Sequence, residues 1–185
     1  MSFEKSNLDE VNLSRSKLSK LSAIDCTFHE SFINNGEINE ANFVRTTLHF
    51  GMSESVIGSL VFDGTTLTFV ALDGTHIKNV VLQSCKKVES IGFYKAQIEQ
   101  LNADDCILNN FRRPNASIGS LYIKNSQLLN NDFEELHATE MTLENVSLSN
   151  KVDFTNAHIN QLTIRNIKKA PGLKLITIGS NVKLE

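Results

Sequence analysis

Apolar residues recur at every fifth position along almost the whole chain, a period that matches neither a helix nor a strand. With Leu8 as a repeat centre, Phe3, Leu8, Leu13, Leu18, Ala23, Phe28, Ile33, Ile38, Phe43 and Leu48 form an unbroken apolar series. One residue is then lost, and the series resumes at Ile57, Phe62, Leu67, Leu72, Ile77 and Leu82. One residue is gained before Phe93, Ile98, Ala103, Leu108, Arg113, Ile118, Ile123, Leu128, Phe133, Ala138, Leu143 and Leu148, among which Arg113 alone is polar. A further insertion leads to Phe154, Ile159 and Ile164. This is the pattern of a repeat protein, in which each unit packs on its neighbours and the core grows lengthwise.

A longer repeat lies over the short one. The triplet Ile57, Leu60, Phe62 returns as Ile77, Val80, Leu82, then as Ile98, Leu101, Ala103, and on through Ile159, Leu162, Ile164, in steps of 20 or 21 residues. Four five-residue units therefore make one turn. An α-solenoid would need longer segments at a 3.6 period, and leucine-rich repeats a unit with its own Asn/Cys ladder. The pattern predicts an all-β fold, a right-handed quadrilateral parallel β-helix of about eight 20-residue coils. At ~4.8 Å per coil the rod is roughly 40 Å long.

The residue two before each centre forms a second inward position, mostly small or β-branched: Ser31, Ala41, Thr46, Thr65, Thr75, Ala96, Ala116 and Ser126 among others. Where it grows to Leu, the centre sometimes shrinks to Ala, as in Leu21 with Ala23, Leu101 with Ala103 and Leu136 with Ala138. Interiors pack at near-crystalline density, so this reads as conserved volume. Compensation is incomplete at Leu60 with Phe62, Leu121 with Ile123 and Leu162 with Ile164, where wider or bent coils are expected. Cys26, Cys85 and Cys106 occupy the same two-before position, if position 87 is taken as the missing centre. They read as small core-filling hydrophobes; an odd number without paired spacing builds neither a disulfide framework nor a zinc site.

The units SNLDE, VNLSR, SKLSK, ANFVR and TTLHF resemble the pentapeptide-repeat family, whose unit has a central Leu or Phe and a small residue before it pointing inward. The resemblance covers roughly residues 2 to 166 and is degenerate after residue 50. Such degeneracy is similar to the β-helix that precedes the catalytic lobes of secreted bacterial HECT-like ubiquitin ligases, which implies a substrate-recognition module. Some pentapeptide-repeat proteins are understood to inhibit type II topoisomerases by mimicking DNA, which implies a second role; that mode needs a long acidic stripe and usually a dimer, and a net charge of -3 counts against it. The organisation expected is a β-helix over residues 1–166, with residues 167–185 as a cap, a junction to a further domain or a surface for a homodimer.

Composition narrows the partners. A formal charge of -3 and a pI near 6.0 argue against binding nucleic acid through its phosphates. No apolar run approaches the ~20 residues of a membrane span, and the start MSFEKSNLDEVNL has no apolar core of a leader. A cytoplasmic protein is expected, or one secreted into a host cell if it is an effector. Sequons at Asn12, Asn115 and Asn145 follow from the repeat, which sets Asn and Ser two apart. There is no phosphate loop, dinucleotide fingerprint, HExxH or nucleophile elbow. His29, His49, His76, His137 and His158 all neighbour a centre and read as outward-facing, and no cofactor or metal is expected. The chain reads as a non-catalytic scaffold for another protein.

Breaks in the ladder read first as tolerated drift at a corner, and otherwise as displaced backbone, where loops form and recognition is expected. They fall between Leu48 and Ile57, around Lys86, Lys87 and Val88, in the Phe111, Arg112, Arg113, Pro114 coil, and at Lys151, Val152 and Asp153. An Arg at a centre cannot stay buried unpaired and Pro114 cannot donate to a sheet, so that coil is expected to bulge and hold its cations outward. Lys86, Lys87 and Lys95 precede Arg112 and Arg113 by about one coil and suggest a basic patch. Glu134 and Glu135 stand in an acidic stretch from 132 to 153. These seven residues are the candidate partner-binding positions.

Overall fold

The computed structural model describes residues 1–112, 115–169 and 182–184, with the backbone alone at residues 112, 150, 151 and 182–184. Every regular segment described is a β-strand, and every strand pairing is parallel, between partners 19 to 21 residues apart. The chain is a right-handed quadrilateral parallel β-helix of about eight coils. In the second coil, residues 16–35, the centres Leu18, Ala23, Phe28 and Ile33 face inward from sides 1, 2, 3 and 4. Coils are numbered from the N terminus, coil 1 contributing sides 2 to 4 only.

Sides 1 and 2 share one sheet. Its eight-residue strands, Lys17–Ile24, Glu37–Val44, Val56–Asp63, His76–Gln83, Gln97–Asp104, Ser117–Lys124, His137–Glu144 and His158–Arg165, run round the corner between the two sides without a break. In each, the second, fifth and seventh residues turn inward, as Ile38, Ala41 and Phe43 do. Sides 3 and 4 share the other sheet, built of shorter segments. At the corners after sides 2 and 4 one residue takes a left-handed conformation, such as Asp25 (φ 55°), Asn125 (49°), Asn35 (57°) or Asn156 (55°). Asn and Asp tolerate that region best after Gly, which explains the Asn and Asp in the outward half of so many units. Asn125, Asn145 and Asn166 stack there as an amide ladder, each side chain donating to the coil above at 2.8 to 3.1 Å.

One apolar core runs through the coils. Phenylalanine rings stack along it, Phe43 on Phe62 at 5.6 Å and Phe133 on Phe154 at 4.6 Å. Register continues straight through Leu60 with Phe62 and Leu121 with Ile123, all fully buried. The two-before position is inward as expected, and it also carries hydrogen bonds. Thr65 donates its hydroxyl to the carbonyls of Asp63 (3.2 Å) and Phe43 (2.9 Å), and Ser55 to those of Ser53 (3.3 Å) and Ile33 (2.7 Å). Cys106 does the same with its thiol, to Asp104 (3.2 Å) and Leu82 (3.4 Å). The neighbouring Cys85 sulfur and burial push the Cys106 thiol well above its ordinary value, so it stays a donor. The cysteines are buried and free, as volume alone suggests, but here they stand in for Ser and Thr.

One expectation is corrected. Position 87 is not a centre: Lys87 is exposed, and Val88 takes the inward site, pairing with Leu67 and Leu108. The extra residue therefore lies just after Cys85. Length changes are the tolerated corner drift that the ladder allows, each taken up as a one-residue register shift on side 3 or its corners, between Leu48 and His49 and between Leu129 and Asn131 across coils 7 and 8. Past residue 166, Lys168–Lys169 pairs with Ser147 and Leu148, and Val182–Leu184 pairs with Leu162 to Ile164. In coil 6, Arg112 keeps its backbone register with Gly92 and Asp132. Phe111 fills the core there from the two-before position, its ring 5.2 Å from Phe93. Its amide is accepted by the buried Asn131 side chain at 3.3 Å.

Candidate interaction surface

With the coils closed on themselves, the chemistry available is what the outward positions present. Sides 1 and 2 carry ion pairs between successive coils: Lys17 with Glu37 at 2.9 Å, Lys20 with Glu40 at 3.3 Å and Lys124 with Glu144 at 3.3 Å. Arg45 grips Asp25 with two hydrogen bonds, at 2.7 and 2.9 Å, and so holds the Asp25 carboxyl below its ordinary value. Exposed pairs stabilise little individually, but they leave these charges neutralised within the rod. Their signal is present in the sequence as opposite signs 20 residues apart.

The lysines expected beside Arg112 and Arg113 lie at two places on the rod. Lys86 reaches the Asp105 carboxylate and donates to its carbonyl at 2.9 Å, and Lys87 pairs with Glu89 at 3.1 Å, both on side 3. Lys86 holds the Asp105 carboxyl below its ordinary value, with help from Ser84. Lys95 sits at the corner after side 4 with its ammonium 5.0 Å over the Tyr94 ring. Arg112 lies on side 4 by its backbone; its side chain, and Arg113 and Pro114 altogether, lie outside the described residues.

Of the acidic stretch, Asp132 and Asp153 serve the turns. Asp132 accepts the Glu134 amide at 2.9 Å, and Asp153 accepts the Thr155 amide (2.9 Å) and hydroxyl (2.6 Å). Glu140 accepts from the Tyr122 hydroxyl at 3.1 Å. Glu134 and Glu135 remain at the corner of coil 7, half-exposed.

Side 1 is shallowly concave, a trough of about 810 Å³ running from Glu37 to Gly119 past Val56, Lys78 and Glu99. Val56, Phe69 and Tyr94 are exposed apolar side chains, 56%, 48% and 44% accessible. They lie on different sides and make no single patch.

On side 3 the rings of His29, His49 and Phe69 follow one another down successive coils, with centres 5.5 and 5.3 Å apart. Asp9 accepts a hydrogen bond from His29 Nδ1 at 3.0 Å. Asp9, His29, His49 and Phe69 stand 20 residues apart in the sequence, so the row is legible there. Among the described residues no three His, Cys, Asp or Glu side chains converge on one point as they stand, and no helix is long and apolar enough to cross a membrane.

Coil length, parallel pairing and inward two-before residues together define the β-helix fold of pentapeptide-repeat proteins. No family model matches the chain, and no curated protein matches it. Among solved structures it is similar to full-length QnrB1, a plasmid-mediated fluoroquinolone resistance protein, at 12% identity with a TM-score of 0.57, over 100% of this chain and 94% of that one. A trypsin-treated form of QnrB1 matches at 13% identity and a TM-score of 0.52, over 100% and 89%. At such identity the likeness is one of fold.

Proposed function

We propose that the chain is a non-catalytic rod that binds another protein, and that its target is a type II topoisomerase, whose bound DNA the rod stands in for. The observation that carries this reading is the likeness to a fluoroquinolone resistance protein over the whole chain. Charge supports it locally. From Glu99 to Asp153 the sequence holds carboxylates at 99, 104, 105, 132, 134, 135, 140, 144 and 153 against Arg112, Arg113, Lys124 and Lys151, with Lys86 of coil 5 on Asp105. Elsewhere Glu37, Glu40 and Asp25 are each matched by a cation one coil away. The mimicry is therefore confined to coils 6 to 8, about 15 Å of rod, with Glu134 and Glu135 as its outward corner.

The test is supercoiling by DNA gyrase in the presence of micromolar protein. Inhibition is expected, reduced about tenfold or more by Glu134→Lys with Glu135→Lys and unchanged by Lys17→Glu, since losing a cluster of interface charges weakens steered binding. No inhibition and no binding to gyrase would overturn the topoisomerase reading. A host protein captured from lysate, and lost with Arg112→Glu and Arg113→Glu, would instead support the substrate-recognition module of a secreted effector.

A further inference from the structure

We propose that the trough on side 1 binds an extended peptide segment of a partner protein, laid along the rod with one amide side chain held between Lys78 and Glu99. Each coil shows two outward side chains on this side, those before and after its buried centre. Down the column after the centre stand Asn39, Gly58, Lys78, Glu99 and Gly119, all lining the trough. The two glycines leave that column without a side chain in coils 4 and 7, and Val56, 56% exposed, walls the first gap. Between the gaps lie two opposite charges. Lys78 and Glu99 hold corresponding places in neighbouring coils, as the register of Ile77 with Ile98 and of Asn79 with Gln100 requires. Both are exposed, and among the described residues neither has an ion-pair or side-chain hydrogen-bond partner. Lys17 with Glu37 and Lys20 with Glu40, in the same sheet, do close such pairs. The charges at the middle of the trough are therefore left to an occupant.

The spacing selects the occupant. Gly58 and Gly119 are three coils apart, ~14 Å at ~4.8 Å per coil, and an extended chain advances ~13.5 Å over four residues. Residues i, i+2 and i+4 of a strand share one face. With i and i+4 in the two gaps, the side chain of i+2 arrives between Lys78 and Glu99. A cation and a carboxylate side by side are answered together by a group that both accepts and donates, and the amide of Asn or Gln does so. Its oxygen accepts from the Lys78 ammonium and its nitrogen donates to the Glu99 carboxylate, each a charge-assisted bond. A carboxylate at i+2 would be repelled by Glu99, and an ammonium by Lys78. An apolar residue at i packs on Val56, while Asn39, Gln97 and Ser117 offer donors and acceptors to the main chain of the segment. The trough's volume of about 810 Å³ is that of a site for a short segment.

Fluorescence anisotropy of a labelled, capped peptide Ala-Leu-Thr-Asn-Thr-Leu-Ala with the full chain tests the proposal. Saturable binding is expected, weakened about tenfold when the central asparagine becomes alanine. Lys78→Met should weaken the asparagine peptide by about the same factor and the alanine peptide hardly at all, as coupled partners do. Glu99→Gln should shift preference toward an aspartate-centred peptide, because the repulsion against it is removed. Ser117→Tyr fills the second gap and should weaken every peptide alike, and Arg45→Ala, at a corner beyond the trough, should change nothing. These positions are exposed, and circular dichroism establishes that each variant keeps its β-helix. No saturable binding at millimolar chain, or binding indifferent to both Lys78→Met and Glu99→Gln, would overturn the proposal. So would self-association of the chain through side 1 that the peptide fails to disperse, since a second copy would then cover the trough. Lys78 lies outside coils 6 to 8, so Lys78→Met separates this site from the topoisomerase reading: peptide binding should fall while any inhibition of gyrase stays as it is.

Discussion

The two sheets of the rod are made from the same five-residue unit, yet they treat errors in it differently. On sides 1 and 2 register is unbroken from Lys17 to Arg165. All three changes of coil length fall on side 3 or its corners, at His49, after Cys85 and around residues 150 and 151. The eight-residue strands of the first sheet pass their shared corner in continuous pairing, so an added residue would displace inward side chains on both sides at once. Gly58 and Gly119 tighten the constraint, because a Cβ at either would lie 2.5 Å from the carbonyl oxygen of Asn39 or Glu99. The second sheet is interrupted by corner residues that can take or lose a neighbour at the expense of one pairing. Drift therefore accumulates where it is least harmful, and the Lys86 pair and the His29, Glu30, His49 corner lie on that permissive side.

The contrast can be broken most severely by insertion. One glycine added between Ser59 and Leu60 should abolish cooperative unfolding in urea, since a register slip turns a buried set of side chains outward. The same residue added after Asn150 should cost under ~1.5 kcal/mol, within the range of ordinary substitutions. A smaller effect is expected from Gly58→Ala, about 2–3 kcal/mol, as overpacking against backbone that cannot move aside. Gly92→Ala, on the permissive sheet with the Asp73 carboxylate 3.4 Å away as its nearest neighbour, should stay within ~0.5 kcal/mol. Smallest is a pH effect at the ion pairs. Asp25 and Asp105 are both held below the ordinary 3.8 in the folded chain. Their contribution is complete above that value and disappears as pH falls through the lower folded values. Asp25→Asn should flatten this acid limb of the urea midpoint, and added salt should shrink the difference between the two proteins.

Much of this was open to inspection in the residues. The five-residue ladder places Ile38, Phe43, Leu67 and Ile123 in the core because inward burial is the one demand each unit must satisfy. The choice between position 87 and Val88 was not legible, since an insertion of one residue fits equally before or after Lys86 until its neighbours above and below are known. The donor role of Cys106 was hidden because volume and hydrogen bonding select the same small residues. Lys86 and Lys87 look like an open basic patch in one dimension, and only the coil spacing reveals Asp105 beside Lys86. The histidine row is the opposite case: its 20-residue spacing is visible, but the shift that sets His49 across from both His29 and Glu30 belongs to the three-dimensional register.

Parallel pairing at a fixed interval of about 20 residues also sets how the rod comes apart. Each coil holds only the coil before and the coil after, so its cohesion is that of a one-dimensional chain of coupled units. Tension applied at the two termini would peel coils singly, each release exposing the next, as a zipper opens tooth by tooth. Load pressed across the sides, as by a protein closing around the rod, would instead be shared by several coils at once.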